Sequence, residues 1–195
     1  MAIAGCAIAV ACDLLGVGLS ERIGIASDTI SNLAAGPWDI LSDLGIYAFV
    51  VGVLAVTVGL IRWRVSRWDW RLGTVLLVLL AIDYTLIAAY EAYSTGEGMQ
   101  IHYKLVYFMG AAFPLTVLLT AGQFYEIDRR LGIALYVGGA LWAIAAPFLF
   151  LVPTAWDGLY ERGLALGKLG WFVIMGVMIW RDPDIVRRVP EDERS

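Results

Sequence analysis

Six times along this chain a run of 17 to 22 residues passes with no more than two charged side chains: 2–19, 40–61, 72–93, 104–123, 131–152 and 164–180. A helix needs about 20 mostly apolar residues to cross the hydrocarbon core of a bilayer. The runs are continuous rather than alternating, which favours helices over strands. The expectation is an all-α, polytopic transmembrane bundle of six spans, forming one domain over residues 1–181 with a tail at 182–195. Composition agrees: 60% of residues are hydrophobic and 16% charged, against about a quarter charged in a soluble domain. The first run has no basic residues before it and carries Asp13 within it, so it reads as a retained span rather than a cleaved signal peptide.

Lysine and arginine set the orientation. With the N-terminus cytoplasmic, the inner segments hold Arg62, Arg64, Arg67, Arg71, Arg129, Arg130, Arg181, Arg187, Arg188 and Arg194, while the outer loops and the spans hold Arg22, Lys104, Arg162 and Lys168. Ten against four predicts that both termini are cytoplasmic, in a cell (inner or plasma) membrane. Trp63, Trp68, Trp70 and Trp180 then read as an inner aromatic belt, with Trp38 and Trp156 at the outer interface.

On this topology the polar stretch SERIGIASDTISNLAAGPWD, residues 20–39, is the first outer loop. Its Ser, Asp, Thr and Asn residues are ordinary caps and turn formers. Ile23, Ile25, Ile30 and Leu33 are interleaved with them, so the segment can bury one side. Asp28, Ser31 and Asn32 are therefore expected to fold down over the bundle rather than extend into water.

The charges inside the spans carry more information, because one at mid-membrane costs at least about 2.5–3.5 kcal/mol. Asp43 lies one turn into span two and Asp83 near the middle of span three. Glu91 follows Asp83 by eight residues, about 80° around the helix and about 12 Å along it. Lys168 lies one turn into span six, and the loop before span four supplies the chain's single histidine, His102. All fall at mid-depth or in the outer half. Asp28, Ser31, Asn32, Asp43, Asp83, Glu91, His102 and Lys168 form the candidate pocket. Acids outnumber bases there, so it favours protons, cations or metal-bridged headgroups over bare anions. Pairing of Asp43 or Glu91 with Lys168 to fix helix packing is the structural alternative.

Several chemistries are excluded. One histidine cannot build a multi-histidine zinc site or a two-histidine phosphatase. A Ser–His pair of His102 with Ser27, Ser31 or Ser94 lacks a nucleophile elbow. An all-carboxylate Mg²⁺ or Ca²⁺ site remains open, without the spacing of a known loop. Walker and dinucleotide motifs are missing, and no basic surface suits nucleic acid. Cys6 and Cys12 stand about 240° apart on one helix and cannot bridge within it.

The stretch ASDTISNLAAGPWDILSDLGIYAFVVGVLAVTVGL combines a Ser-Asp-x-Ile-Ser-x-Leu loop with a glycine-rich second span. In this it resembles the bacterial and archaeal membrane family known as domain of unknown function 998, over nearly the whole chain. Asn32 departs from the acidic residue expected after the motif's second serine. More weakly, the loop resembles the Frag1/DRAM/Sfk1 membrane proteins. These resemblances imply a six-helix bundle and a lipid-facing role, and no established reaction.

The functional expectation is a membrane protein whose outward acidic pocket binds a lipid headgroup or small polar ligand, with membrane lipids and a membrane protein as candidate partners. The alternatives are a lipid-modifying enzyme using Asp28, Asp43, Glu91 and His102, and a proton- or cation-coupled transporter with Asp83 as its relay. No cofactor follows from the sequence.

Overall fold

The computed structural model describes residues 1–90 and 97–181, the latter with side chains from Ile101 onward. The described residues form seven helices: α1 (Ala2–Leu19), the short α2 (Ile30–Ala34), α3 (Asp39–Arg62), α4 (Trp68–Ala89), α5 (Glu97–Ile127), α6 (Arg129–Phe148) and α7 (Asp157–Arg181). Six of them, all but α2, are long and apolar enough to cross a membrane. The chain is a multi-pass membrane protein with an all-helical fold.

Several helices outrun their apolar windows. α4 begins at Trp68 rather than 72, α7 at Asp157 rather than 164, and α5 runs on to Ile127. The hydrocarbon core is only part of the path, because the headgroup layers extend it to about 40–45 Å. Polar turns therefore stay helical beyond the apolar stretch. The 31 residues of α5 span about 46 Å at the helical rise. α5 continues through Pro114, whereas Pro147 stands one residue before the end of α6.

α1 and α3 meet along a seam of small residues. Ala2, Gly5, Ala9 and Cys12 recur every three or four positions and so share one face of α1. Gly45, Ala48 and Gly52 do the same on α3. A β-carbon on Gly52 would lie 3.2 Å from the Ala2 carbonyl oxygen, and one on Gly45 3.1 Å from the Cys12 β-carbon. In hydrocarbon, close backbone approach of this kind drives helix association, because lipid tails are as apolar as leucine.

The helices form a ring in the order α1, α3, α4, α5, α6, α7, with α7 also reaching α3. α6 lies extensively along α5 but meets α7 only lightly. Two bonds hold that seam. Trp142 Nε1 donates to the Leu164 carbonyl at 3.0 Å, and the Tyr160 hydroxyl donates to the Ala145 carbonyl at 2.8 Å.

The two ends of the bundle differ. At the terminal end, where α3 finishes and Arg181 lies, the interior is solid. Val53, Val56, Leu60, Leu77, Leu80, Phe124, Phe172 and Met175 are fully buried. Trp63 stacks on Trp70 at 5.9 Å, and Phe124 meets both rings at 6.0 and 5.7 Å. Arg67 bonds Asp69 at 2.7 Å and also pairs with Glu126, tying the α3–α4 turn to α5. This corrects the expected aromatic belt. Trp68 and Trp180 are 72% and 79% exposed, but Trp63 and Trp70 are 6% and 2% exposed and belong to the core. Trp68 and Trp70 are two residues apart, about 200° around α4, so one faces out when the other faces in.

At the loop end the 20–38 segment crosses over the bundle. Thr29 caps α2 by accepting from the Asn32 amide. Leu33, 1% exposed, drops into the notch left by Gly16 of α1, where a β-carbon would lie 2.7 Å from its Cδ2. The segment is also tied to α7: the Leu159 amide donates to the Ala26 carbonyl at 3.1 Å. A β-carbon on Gly158 would overlap the Asp28 backbone, 2.6 Å from its carbonyl carbon.

Candidate functional site

The loop half of the bundle is hollow. A cavity of about 870 Å³ opens between α1, α3, α4, α5, α6 and α7, within the size range of small-molecule sites, about 300–1,000 Å³. Its wall is mainly apolar, with Phe49, Ile87, Met109, Leu118, Trp142 and Leu169 among the lining residues. A second hollow of about 610 Å³ lies beneath the 20–38 segment and is lined by Ser27, Asp28, Thr29, Asn32, Tyr103, Thr154 and Asp157. Ser31, His102, Val106, Leu149, Phe150 and Glu161 line both. The arrangement is a polar vestibule adjoining an apolar chamber.

Arg162, on the chamber wall, ties down the 20–38 segment, a strap across this end of the bundle. Its side chain bonds both Asp13 oxygens, at 2.9 and 3.0 Å. Its remaining terminal nitrogen donates to the carbonyls of Asp28 at 2.6 Å, Ile25 at 3.1 Å and Gly158 at 3.3 Å. One guanidinium thus joins α1, α7 and the strap. Its neighbour Glu161 accepts from the Ile30 amide at 2.6 Å, at the start of α2 where a helix's positive pole favours a carboxylate.

Asp28 organises the strap itself. It accepts from the Gly24 amide at 2.8 Å, the Ser27 hydroxyl at 2.9 Å and the Asn32 side-chain amide at 3.5 Å. The Gly24 bond, then the Ser27 bond, hold its pKa below the ordinary 3.8. A carboxylate depressed on folding stabilises the fold above its unfolded pKa, and that contribution is lost as pH falls through the folded value. Hydrogen exchange over residues 22–34 should therefore accelerate as pH drops below about 4, after correction for intrinsic exchange. Asp28→Asn should abolish most of that pH dependence, and an unchanged profile would remove Asp28 from this role.

His102, 5% exposed, bonds through Nδ1 to the Tyr90 carbonyl at 2.8 Å. A carbonyl only accepts, so Nδ1 carries the proton and Nε2 of the neutral ring is an acceptor. Lys168 lies deeper on the chamber wall. Its ammonium donates to the Met109 sulfur at 3.3 Å and sits 4.5 Å from the Tyr84 ring centre and 5.5 Å from that of Phe49. The carboxylates acting on it are Glu161 and Asp83.

The eight candidate residues divide as follows. Ser31, Asp43, His102 and Lys168 line the chamber, and Asp28, Ser31, Asn32 and His102 the vestibule. Asp83 lines neither. It lies 3% exposed, with no hydrogen-bond partner for either oxygen among the described residues. Glu91 falls outside the described residues. Lys168 takes the Met109 sulfur and two aromatic faces, with no carboxylate within 4 Å among the described residues. The described residues contain no group of three or more His, Cys, Asp or Glu placed to hold a metal ion.

Sequence reasoning missed Glu161 and the Asp13–Arg162 pair as site residues, because it began the last span at 164. A signal was present. Glu161 and Lys168 are seven residues apart, two turns on one helical face, and residues 163–167 between them carry no charge.

No curated protein and no solved structure matches the chain, and the weaker likeness to the Frag1/DRAM/Sfk1 proteins is not shown. The family model described as "Protein of unknown function (DUF998)" matches residues 3–178, nearly the whole chain and all six spanning helices, and the chain belongs to that family.

Proposed function

We propose that the protein is a lipid-binding protein of the cell membrane, its termini cytoplasmic and its vestibule facing outward, holding an amphiphile with its headgroup under the strap and its chain in the chamber. The observation that carries this reading is the pairing of a polar vestibule with an apolar chamber through shared lining residues. The distribution of arginine supports the orientation. Arg62, Arg64, Arg67, Arg71, Arg129, Arg130 and Arg181 gather at the terminal end, the side expected to face the cytoplasm.

Filling the chamber tests the reading. Gly110 lines it, and a β-carbon there would meet nothing within 4 Å. Gly110→Phe should lower retention of co-purified or added phospholipid, read by native mass spectrometry, at least about tenfold. A pocket occupied by a phenyl ring forfeits several buried methylenes of ligand, each worth about 0.8 kcal/mol. Gly138 offers the same open space outside the chamber, so Gly138→Phe should leave retention unchanged. Equal retention in both variants would sink the proposal.

A second reading, chemistry on the bound lipid, draws on His102, whose fixed tautomer presents an acceptor nitrogen at a residue lining both hollows. Purified protein incubated with phospholipid should then release a product that His102→Ala does not. Identical product profiles would dismiss it.

A further inference from the structure

The vestibule lining carries charge of one sign. Asp28, Asp157 and Glu161 line it, and among the described residues no Lys or Arg does. Two cations of α7, Arg162 and Lys168, act on Glu161, with Asp13 opposing them. Both line the chamber instead, and both are occupied there. The Arg162 guanidinium takes both Asp13 oxygens and three carbonyls, so its charge is matched and its donors are used. Lys168 lies seven residues beyond Glu161, about 10 Å further along α7. Its ammonium is held by the Met109 sulfur at 3.3 Å and by the Tyr84 and Phe49 rings. Those three residues line the chamber and not the vestibule.

Two acceptors stand where the hollows meet. His102 and Glu161 line both. His102 is 5% exposed, and its Nδ1 is spent on the Tyr90 carbonyl. Tyr90 lines neither hollow, so the opposite edge of the ring carries Nε2 toward them. Nε2 takes no hydrogen bond among the described residues. Glu161 gives Oε2 to the Ile30 amide, and its Oε1 takes none among the described residues. The unpartnered atoms that lack surface include Asp157 Oδ1 but neither of these two, so both stay open to a ligand. Acceptors in such places are satisfied in native proteins, by protein, by water or by a ligand.

We infer that the vestibule receives a primary ammonium, the headgroup terminus of an aminophospholipid, which donates to Glu161 and His102. The inference rests on the lipid-binding reading above. A primary ammonium brings three donors and a positive charge, the complement of two open acceptors in an acidic lining. A trimethylammonium matches the charge but has no N–H to give. A glycerol headgroup gives hydroxyls but leaves the phosphate charge of the lipid unbalanced beside the carboxylates. A bare metal ion lacks its ligand set, since no group of three or more His, Cys, Asp or Glu is placed to hold one among the described residues.

The test compares phosphatidylethanolamine, phosphatidylcholine and phosphatidylglycerol of identical chains by native mass spectrometry of the full-length protein in detergent. Phosphate and chains are common to all three, so the comparison isolates the headgroup terminus. The ethanolamine lipid should bind at least about tenfold more tightly than either of the others, the effect of one charge-assisted hydrogen bond. Glu161→Gln keeps an oxygen for the Ile30 amide and removes the charge. It should weaken ethanolamine binding, strengthen glycerol binding and so remove most of the preference between them. Asp157→Asn removes a second lining charge and should shift that preference the same way. His102→Phe keeps a ring without the acceptor and should reduce the preference for ethanolamine over choline. Glycerol lipid bound as tightly as ethanolamine lipid by the native protein overturns the ammonium assignment and leaves the lipid-binding reading standing. Equal binding of ethanolamine and choline lipids overturns the hydrogen-bonded primary ammonium. Variants that weaken all three lipids alike overturn the assignment to these side chains. Binding of none of the three overturns both readings.

Discussion

Arg162→Met should cost about 3–5 kcal/mol of stability, the range for removing one partner of a buried ion pair. The change leaves Asp13 charged without its bidentate partner and strips a donor from the carbonyls of Ile25, Asp28 and Gly158. Thermal unfolding in detergent would show it as a large fall in Tm, and protease cleavage within residues 20–36 should appear at temperatures where the native protein resists. The double variant Asp13→Leu/Arg162→Met removes both charges. It should recover part of the loss, because well-packed apolar replacements of a buried pair are often neutral. The carbonyls would still lack their donor, so recovery stays incomplete. A double variant no better than the single one would show that the carbonyl contacts, and not the ion pair, hold the strap.

Gly5→Leu should also be damaging, for a different reason. A β-carbon on Gly5 would overlap the Ala48 carbonyl and lie 3.3 Å from the Gly52 α-carbon. These are backbone atoms, which cannot swing aside as a side-chain tip can. α1 must move off α3 by a side-chain layer, and overpacking of this kind costs about 1–3 kcal/mol or more. The loss should show as reduced folded yield and a lower Tm, and, on the proposed lipid-binding reading, as weaker lipid retention, because α1 supplies part of the chamber wall. Gly18→Leu is the control on the same helix, since a β-carbon there meets nothing within 4 Å. A Tm for Gly5→Leu equal to that of Gly18→Leu would refute the seam.

Number and order of the spans were legible because hydrocarbon imposes a single length on every helix that crosses it, and six runs met that length. Helix ends were less legible. Residues such as Trp68, Asp69, Gly158 and Glu161 look like loop residues by position, yet they continue their helices beyond the apolar runs. The candidate residues followed from the cost of burying charge, a rule that reports that a partner is needed without saying which. Arg162 looked like a loop cation by sequence, and only the folded strap brings the carbonyls of Ile25 and Asp28 to it. The aromatic belt was misread for a related reason. Composition places tryptophan near an interface, but the phase of α4 decides whether Trp68 or Trp70 looks outward.

The solid terminal end, closed by the stack of Trp63, Trp70 and Phe124 and clamped by Arg67, makes the chamber a cul-de-sac. On the lipid-binding reading proposed above, a guest admitted beneath the strap or through the lightly held α6–α7 seam would leave by the same side. Its occupancy would then follow its concentration in the adjoining leaflet, as a vessel fills to the level of the pool beside it, and the composition of the opposite leaflet would have no bearing on it while the stack stays closed.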